Sequence, residues 1–155
     1  MAQGTFDILH PGHLHYLRES RELGDELYVV IGRDSRMSER KDLFMHEEAR
    51  RQVVDALEVV DEAILGSEGS IFDTVARVDP DIITHGHDQE FDVDELEATL
   101  TEHGHSDVRV VRIGAFEPTS DDLIVSSSAI KEKLERVRSG RVESDTSVRE
   151  DSTDG

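Results

Sequence analysis

Short runs of aliphatic and β-branched residues alternate with amphipathic helical segments along most of this chain, and that alternation is its strongest constraint on fold. Glu26 to Gly32 (Glu-Leu-Tyr-Val-Val-Ile-Gly) is a nearly continuous apolar run. Such a run suits a strand covered on both faces by helices. Further strands are predicted over Met1 to Phe6, Glu62 to Leu65, Asp81 to Thr84 and Asp107 to Ile113. Helices are predicted over Gly12 to Leu23, Glu47 to Leu57, Ser70 to Val78, Asp92 to His103 and about Ser126 to Arg138. Strands alternating with helices build a parallel sheet with right-handed crossovers. The fold class is therefore α/β, a Rossmann-like doubly wound parallel sheet. On the helix over 47–57, Ala49, Val53 and Leu57 or Ala56 are expected to face inward. Met37 to Met45 reads as a mobile loop.

The first turn carries the chemistry. Gly4-Thr5-Phe6-Asp7-Ile8-Leu9-His10-Pro11-Gly12-His13 reads as a strand end, a tight turn and a helix start. Gly12 lets backbone approach a ligand closely. Pro11 suits a first helical position, where its missing N–H is no loss. The helix directs its free N–H groups and about half a positive charge at the turn, which makes an anion site. His10 and His13, three residues apart, can both face one phosphate and donate to its oxygens as charge builds.

Composition limits the partners. The 155 residues suit one domain, and the net charge is -19, from 36 acidic and 17 basic residues. Nucleic-acid binding wants a basic face, so it is not expected. No signal peptide or membrane-length apolar run is evident, and a cytoplasmic protein is expected. Cys is absent, which removes disulfides and thiolate chemistry. Acid spread over folded elements fits a halophilic protein whose surface stays hydrated in concentrated salt. From Ser139 onward apolar residues thin out, so residues 1–138 are read as the domain and 139–155 as a disordered acidic tail.

The first turn matches the signature G-T-F-D-x-x-H-x-G-H and resembles the nucleotidyltransferase superfamily. Ser126-Ser127-Ser128-Ala129-Ile130-Lys131 resembles that superfamily's second signature, and as a hydroxyl-rich helix start it is also an anion site. The resemblance implies in-line attack by an acceptor phosphate on the α-phosphate of a nucleoside triphosphate, with Mg²⁺ on the triphosphate and pyrophosphate released. It makes His10, His13 and Lys41 catalytic, Lys41 lying between acids in Glu39-Arg40-Lys41-Asp42. Thr5, Phe6, His10, His13, Gly86, Asp88, Ser126, Ser127 and Ser128 are the implied nucleotide contacts. Asp7, Asp34, and Arg50 or Arg51 are the implied acceptor contacts. The histidines of His85-Gly86-His87 invite a metal reading, but zinc needs three or four converging ligands, and no protein metal site is expected.

The run from Ile31 to Gln89 is most similar to archaeal FAD synthases, on Arg33-Asp34-Ser35, Glu47-Glu48, Val53-Val54-Asp55-Ala56-Leu57, Pro80-Asp81-Ile82-Ile83 and Asp88-Gln89. The implied substrates are ATP and FMN. The alternative is a glycerol-3-phosphate cytidylyltransferase using CTP and glycerol 3-phosphate, and a second is a nucleotide-binding sensor without turnover. Aromatic content is low, but Phe44, Phe72, Phe91 and Phe116 are available to stack on a flavin. Relatives imply a homodimer.

Overall fold

The computed structural model describes residues 1–37, 43–89, 92–120 and 123–139. The strands are β1 (Ala2–Gly4), β2 (Tyr28–Ile31), β3 (Glu62–Leu65), β4 (Ile82–His85) and β5 (Arg109–Arg112). The helices are α1 (Pro11–Arg21), α2 (Asp34–Met37), α3 (Glu47–Asp55), α4 (Ile71–Val78), α5 (Val93–Glu102) and α6 (Ser127–Arg138). All five strands lie in one sheet in the order β3-β2-β1-β4-β5, and every pairing is parallel. The expected Rossmann-like architecture is present. Strand order reverses between β1 and β4, which places a ligand crevice at their carboxyl ends.

The apolar runs explain the layers. Successive β2 residues point to opposite faces, and both faces are covered. Val29 and Ile31 join Leu17, Val54 and Ala63 on one side. Val30 joins Val75, Ile83, Leu100 and Val110 on the other. Local signals set the helix ends. Ser70 and Asp73 form a reciprocal capping box at the start of α4, and the Asp92 carboxylate accepts the Glu95 amide at the start of α5. Gly104, at φ +86, turns the chain out of α5 where a side chain would strain.

Three expectations are corrected. β1 ends at Gly4 rather than Phe6, because Phe6 takes φ 51 and turns the chain off the sheet. On α3 the inward residues are Arg50 and Val54, while Ala49 and Val53 face solvent. The segment read as a loop starts inside a helix, since α2 runs to Met37, and its residues 38–42 lie outside the described residues. The expected acidic tail lies outside the described residues from 140 onward.

Both sheet edges are capped by carboxylates. On β3 the Ala63 amide donates to Asp55 Oδ1 at 2.8 Å. On β5 the Val110 amide donates to Glu97 Oε1 at 3.0 Å. Each occupies a backbone donor that an added strand would use.

Candidate active site

The turn between β1 and α1 is built by close contacts. A Cβ on Gly4 would lie 2.8 Å from the Phe6 ring. Phe6 is 2 % exposed and packs under Tyr16 and His13, with ring centres 6.3 and 5.1 Å away. Its ring therefore supports the site from beneath. His10 caps α1, its Nδ1 accepting the His13 amide at 3.4 Å. A neutral imidazole that accepts at Nδ1 carries its proton on Nε2. Burial lowers the His10 pKa, opposed by the charge of Asp88. His10 and His13 stack at 3.8 Å. A Cβ on Gly12 would meet the Val125 carbonyl at 2.9 Å, so only glycine lets α6 come this close. Ser126 caps α6, and Ser127 Oγ donates to the Ile8 carbonyl at 3.1 Å. The amino ends of α1 and α6 thus lie side by side, two dipoles favouring one anion.

The crevice between β1 and β4 is held open by polar side chains. These strands pair only at Ala2 and Thr84. Beyond that point the Tyr16 hydroxyl enters. It donates to the Thr84 carbonyl at 2.8 Å and accepts the Gln3 amide at 3.2 Å. His85 is fully buried, with Gln89 Oε1 2.8 Å from its Nδ1, and the Gln89 amide donates to the Gln3 carbonyl at 3.1 Å. Burial lowers the His85 pKa, the Gln89 bond opposes this, and the Arg112 charge adds to it. The turn Gly86 to Gln89 closes through the Gln89 amide on the Gly86 carbonyl at 3.2 Å. It presents Asp88, exposed, where its charge acts on His10.

The side toward β2 is an internal clamp. Arg50 is fully buried. It donates to the carbonyls of Thr5, Gly32 (2.7 Å) and Met45 (3.1 Å), and to Asp34 Oδ1 (2.6 Å). Burial raises the Asp34 pKa, but Arg50 and the Glu47 amide outweigh it and hold the carboxyl below its usual range. Asp7 is 4 % exposed. It accepts the Phe44 amide at 2.9 and 3.1 Å, the Met45 amide at 2.9 Å and the Lys131 ammonium at 2.8 Å. Burial pushes the Asp7 carboxyl up, and Lys131 with those amides pulls it down to a net lowering.

A family model described as cytidylyltransferase-like matches residues 1–133. The chain belongs to this family. It is a nucleotidyltransferase. A curated relative from Natrialba magadii, named FAD synthase, is 48% identical over 134 residues, 86% of this chain and 90% of the relative. Another FAD synthase, from Methanohalophilus mahii, is 48% identical over 138 residues, covering 89% and 95%. A crystal structure of a Thermoplasma volcanium protein titled lipopolysaccharide core biosynthesis protein shares 49% identity at a TM-score of 0.72, covering 76% of this chain and 96% of that one.

Within this nucleotidyltransferase, the expected residues separate into groups. His10, His13, Gly86, Asp88 and Ser126 to Ser128 gather around the crevice and the two helix starts. Thr5 contributes its carbonyl to Arg50. Asp7, Asp34 and Arg50, expected at the acceptor, are bonded to one another's segments and order the turn. Arg51 is turned away, pairing with Glu48 at 2.8 Å. Lys41 lies outside the described residues. Among the described residues no group of three or more His, Asp or Glu side chains is placed to hold a metal ion. None of the helices among them is long and apolar enough to cross a membrane. Sequence reasoning missed Tyr16 and the Lys131–Asp7 pair. A tyrosine amid Leu14, Leu17 and Arg21 reads as ordinary helix, and no local pattern links positions 7 and 131.

Proposed function

We propose that this chain is an FAD synthase that transfers AMP from ATP to FMN. The observation that carries the reading is the double-histidine, double-helix-start anion site in a chain 48% identical to relatives bearing that name. A phosphate oxygen of FMN attacks the α-phosphorus of ATP. The bond to the β-phosphate oxygen breaks, and pyrophosphate leaves with that electron pair. His10 donates from Nε2 to a non-bridging oxygen, in the tautomer that the His13 amide selects. The α1 and α6 amides add fixed dipoles, so stabilisation needs little reorganisation. Positioning supplies the rest.

ATP enters as its Mg²⁺ complex, the ion neutralising triphosphate charge. Asp88, on the turn after β4, contacts the nucleotide. Lys41, outside the described residues, is proposed as the catalytic cation for the triphosphate on the family resemblance alone. The protein is cytoplasmic, acts as a homodimer, and is halophilic, its acidic surface hydrated in concentrated salt.

The test is FAD production from FMN and ATP by wild type and by His10→Ala and His13→Ala. Each substitution is expected to lower kcat by roughly 10²–10³, the scale of losing one oxyanion donor, and His10→Ala to cost in addition about 1 kcal/mol of stability through the lost α1 cap. Undiminished FAD formation by both variants would overturn the assignment of these roles. No FAD from wild type would overturn the function.

A further inference from the structure

Phe44 is held in a way that packing does not explain. The residue is 68 % exposed, the highest value for a large apolar residue among the described residues. Yet its backbone is pinned: the Phe44 and Met45 amides both donate to Asp7, and the Met45 carbonyl accepts Arg50. Asp7 lies three residues before His10, in the same turn. An apolar ring kept in water gains nothing from burial, while the chain around it is fixed to the catalytic turn. Lys131 places its ammonium 5.6 Å from the ring centre, on the side of α6.

The other described phenylalanines pack against aromatic rings of the protein itself, whereas Phe44 has the Lys131 ammonium over one face. Phe6 is buried under His13, Phe72 stacks on His103 at 3.7 Å, and Phe116 leans on His15 at 5.6 Å. Phe44 lies on the β2 side of the crevice, beside α3. The nucleotide residues Gly86 and Asp88 follow β4 on the other side. The acceptor is taken to enter opposite the nucleotide turn, on the side where Asp7 and Arg50 fix the Phe44–Met45 backbone.

Resting on the FAD synthase reading, we propose that Phe44 is the stacking platform for the planar isoalloxazine ring of FMN, and so selects an aromatic phosphate acceptor over an aliphatic one. Stacking needs only a π face, which FMN has and glycerol 3-phosphate lacks. The residue binds the acceptor and takes no part in proton or phosphoryl transfer.

The experiment measures KM and kcat for FMN and for ATP in wild type, Phe44→Ala, Phe44→Tyr and Phe44→Trp, at fixed high salt and Mg²⁺. Phe44→Ala removes an exposed ring and leaves the backbone bonds, so its unfolding midpoint stays at the wild-type value. Its KM for FMN is expected to rise about tenfold, the scale of losing one stacked ring. KM for ATP and kcat at saturating FMN stay near wild type. Phe44→Tyr restores the KM. The chain has no Trp and two Tyr, so Phe44→Trp gives a single tryptophan, excited selectively over the tyrosines, whose fluorescence FMN quenches and glycerol 3-phosphate does not. If wild type makes FAD and Phe44→Ala has an unchanged KM for FMN, the inference alone falls. It falls also if both KM values rise together or Trp emission ignores FMN. If wild type makes no FAD, the functional reading falls and takes the inference with it.

Discussion

Lys131 Nζ lies 2.8 Å from Asp7 Oδ2. This pair fastens the last helix to the first turn, 124 positions away in sequence by subtraction of the two residue numbers. α6 has no buried side chain of its own. Its attachment therefore relies on Lys131, on the Ser127 bond to Ile8 and on the approach that Gly12 permits. Lys131→Met leaves the buried Asp7 charge with amide partners only, and is expected to cost about 1–3 kcal/mol. Amide exchange at Ala129 and Ile130 rises with it. Denaturant unfolding and hydrogen exchange check both. Unchanged exchange in α6 would show that the helix is held by other means.

Arg50 and Arg51 are adjacent and behave differently. Arg50 is buried with acceptors on four residues in three segments, and its planar fork is not reproduced by an ammonium. Arg50→Lys is expected to lose about 3 kcal/mol or more, because carbonyls and Asp34 are left short of donors. Arg51→Ala removes a half-exposed network with Glu48, Asp55 and the Ala63 carbonyl, and is expected to cost no more than about 1 kcal/mol. Equal losses from the two would contradict the clamp.

These two residues also mark what the sequence could carry. The alternation of apolar runs and helices specified a parallel sheet, and the Gly4 to His13 turn specified its anion site, because both signals are local. The inward face of α3 was not legible as Ala49 and Val53. A guanidinium takes an inward position only when several carbonyls converge on it, and those come from residues 5, 32 and 45. The internal partners of Asp7 and Asp34 were not legible for the same reason. A carboxylate at a strand end looks available until its distant partners are known. Tyr16 shows the converse, a hydroxyl whose function depends on β1 and β4 parting beyond Ala2.

Stability should fall in two steps as pH drops. His10 and His85 have folded pKa values below the ordinary 6.5. Near and below that value the unfolded chain binds more protons than the folded one. Their contribution is complete above pH 6.5 and is lost as pH falls through their folded values. Asp7 and Asp34 are lowered from 3.8, so their contribution is complete above 3.8 and is lost below it. Unfolding midpoints measured across about pH 3 to 8 at constant salt should show both declines. His85→Gln should flatten the first. A midpoint that improves between pH 6.5 and 5 would contradict the histidine assignment.

The capped edges govern self-association. Asp55→Ala and Glu97→Ala together free the Ala63 and Val110 amides. The double variant is expected to form larger species at high concentration, by strand addition at the bared edges. Light scattering and size-exclusion chromatography check it. A size distribution identical to wild type would mean the carboxylates do not guard the edges.

The central claim is an adenylyl transfer to a flavin phosphate. We would assay four substrate pairs in molar KCl with Mg²⁺, combining FMN or glycerol 3-phosphate with ATP or CTP, and follow pyrophosphate release. The account predicts turnover with FMN and ATP, with FAD as the organic product. Turnover confined to CTP and glycerol 3-phosphate would contradict it and make the chain a cytidylyltransferase.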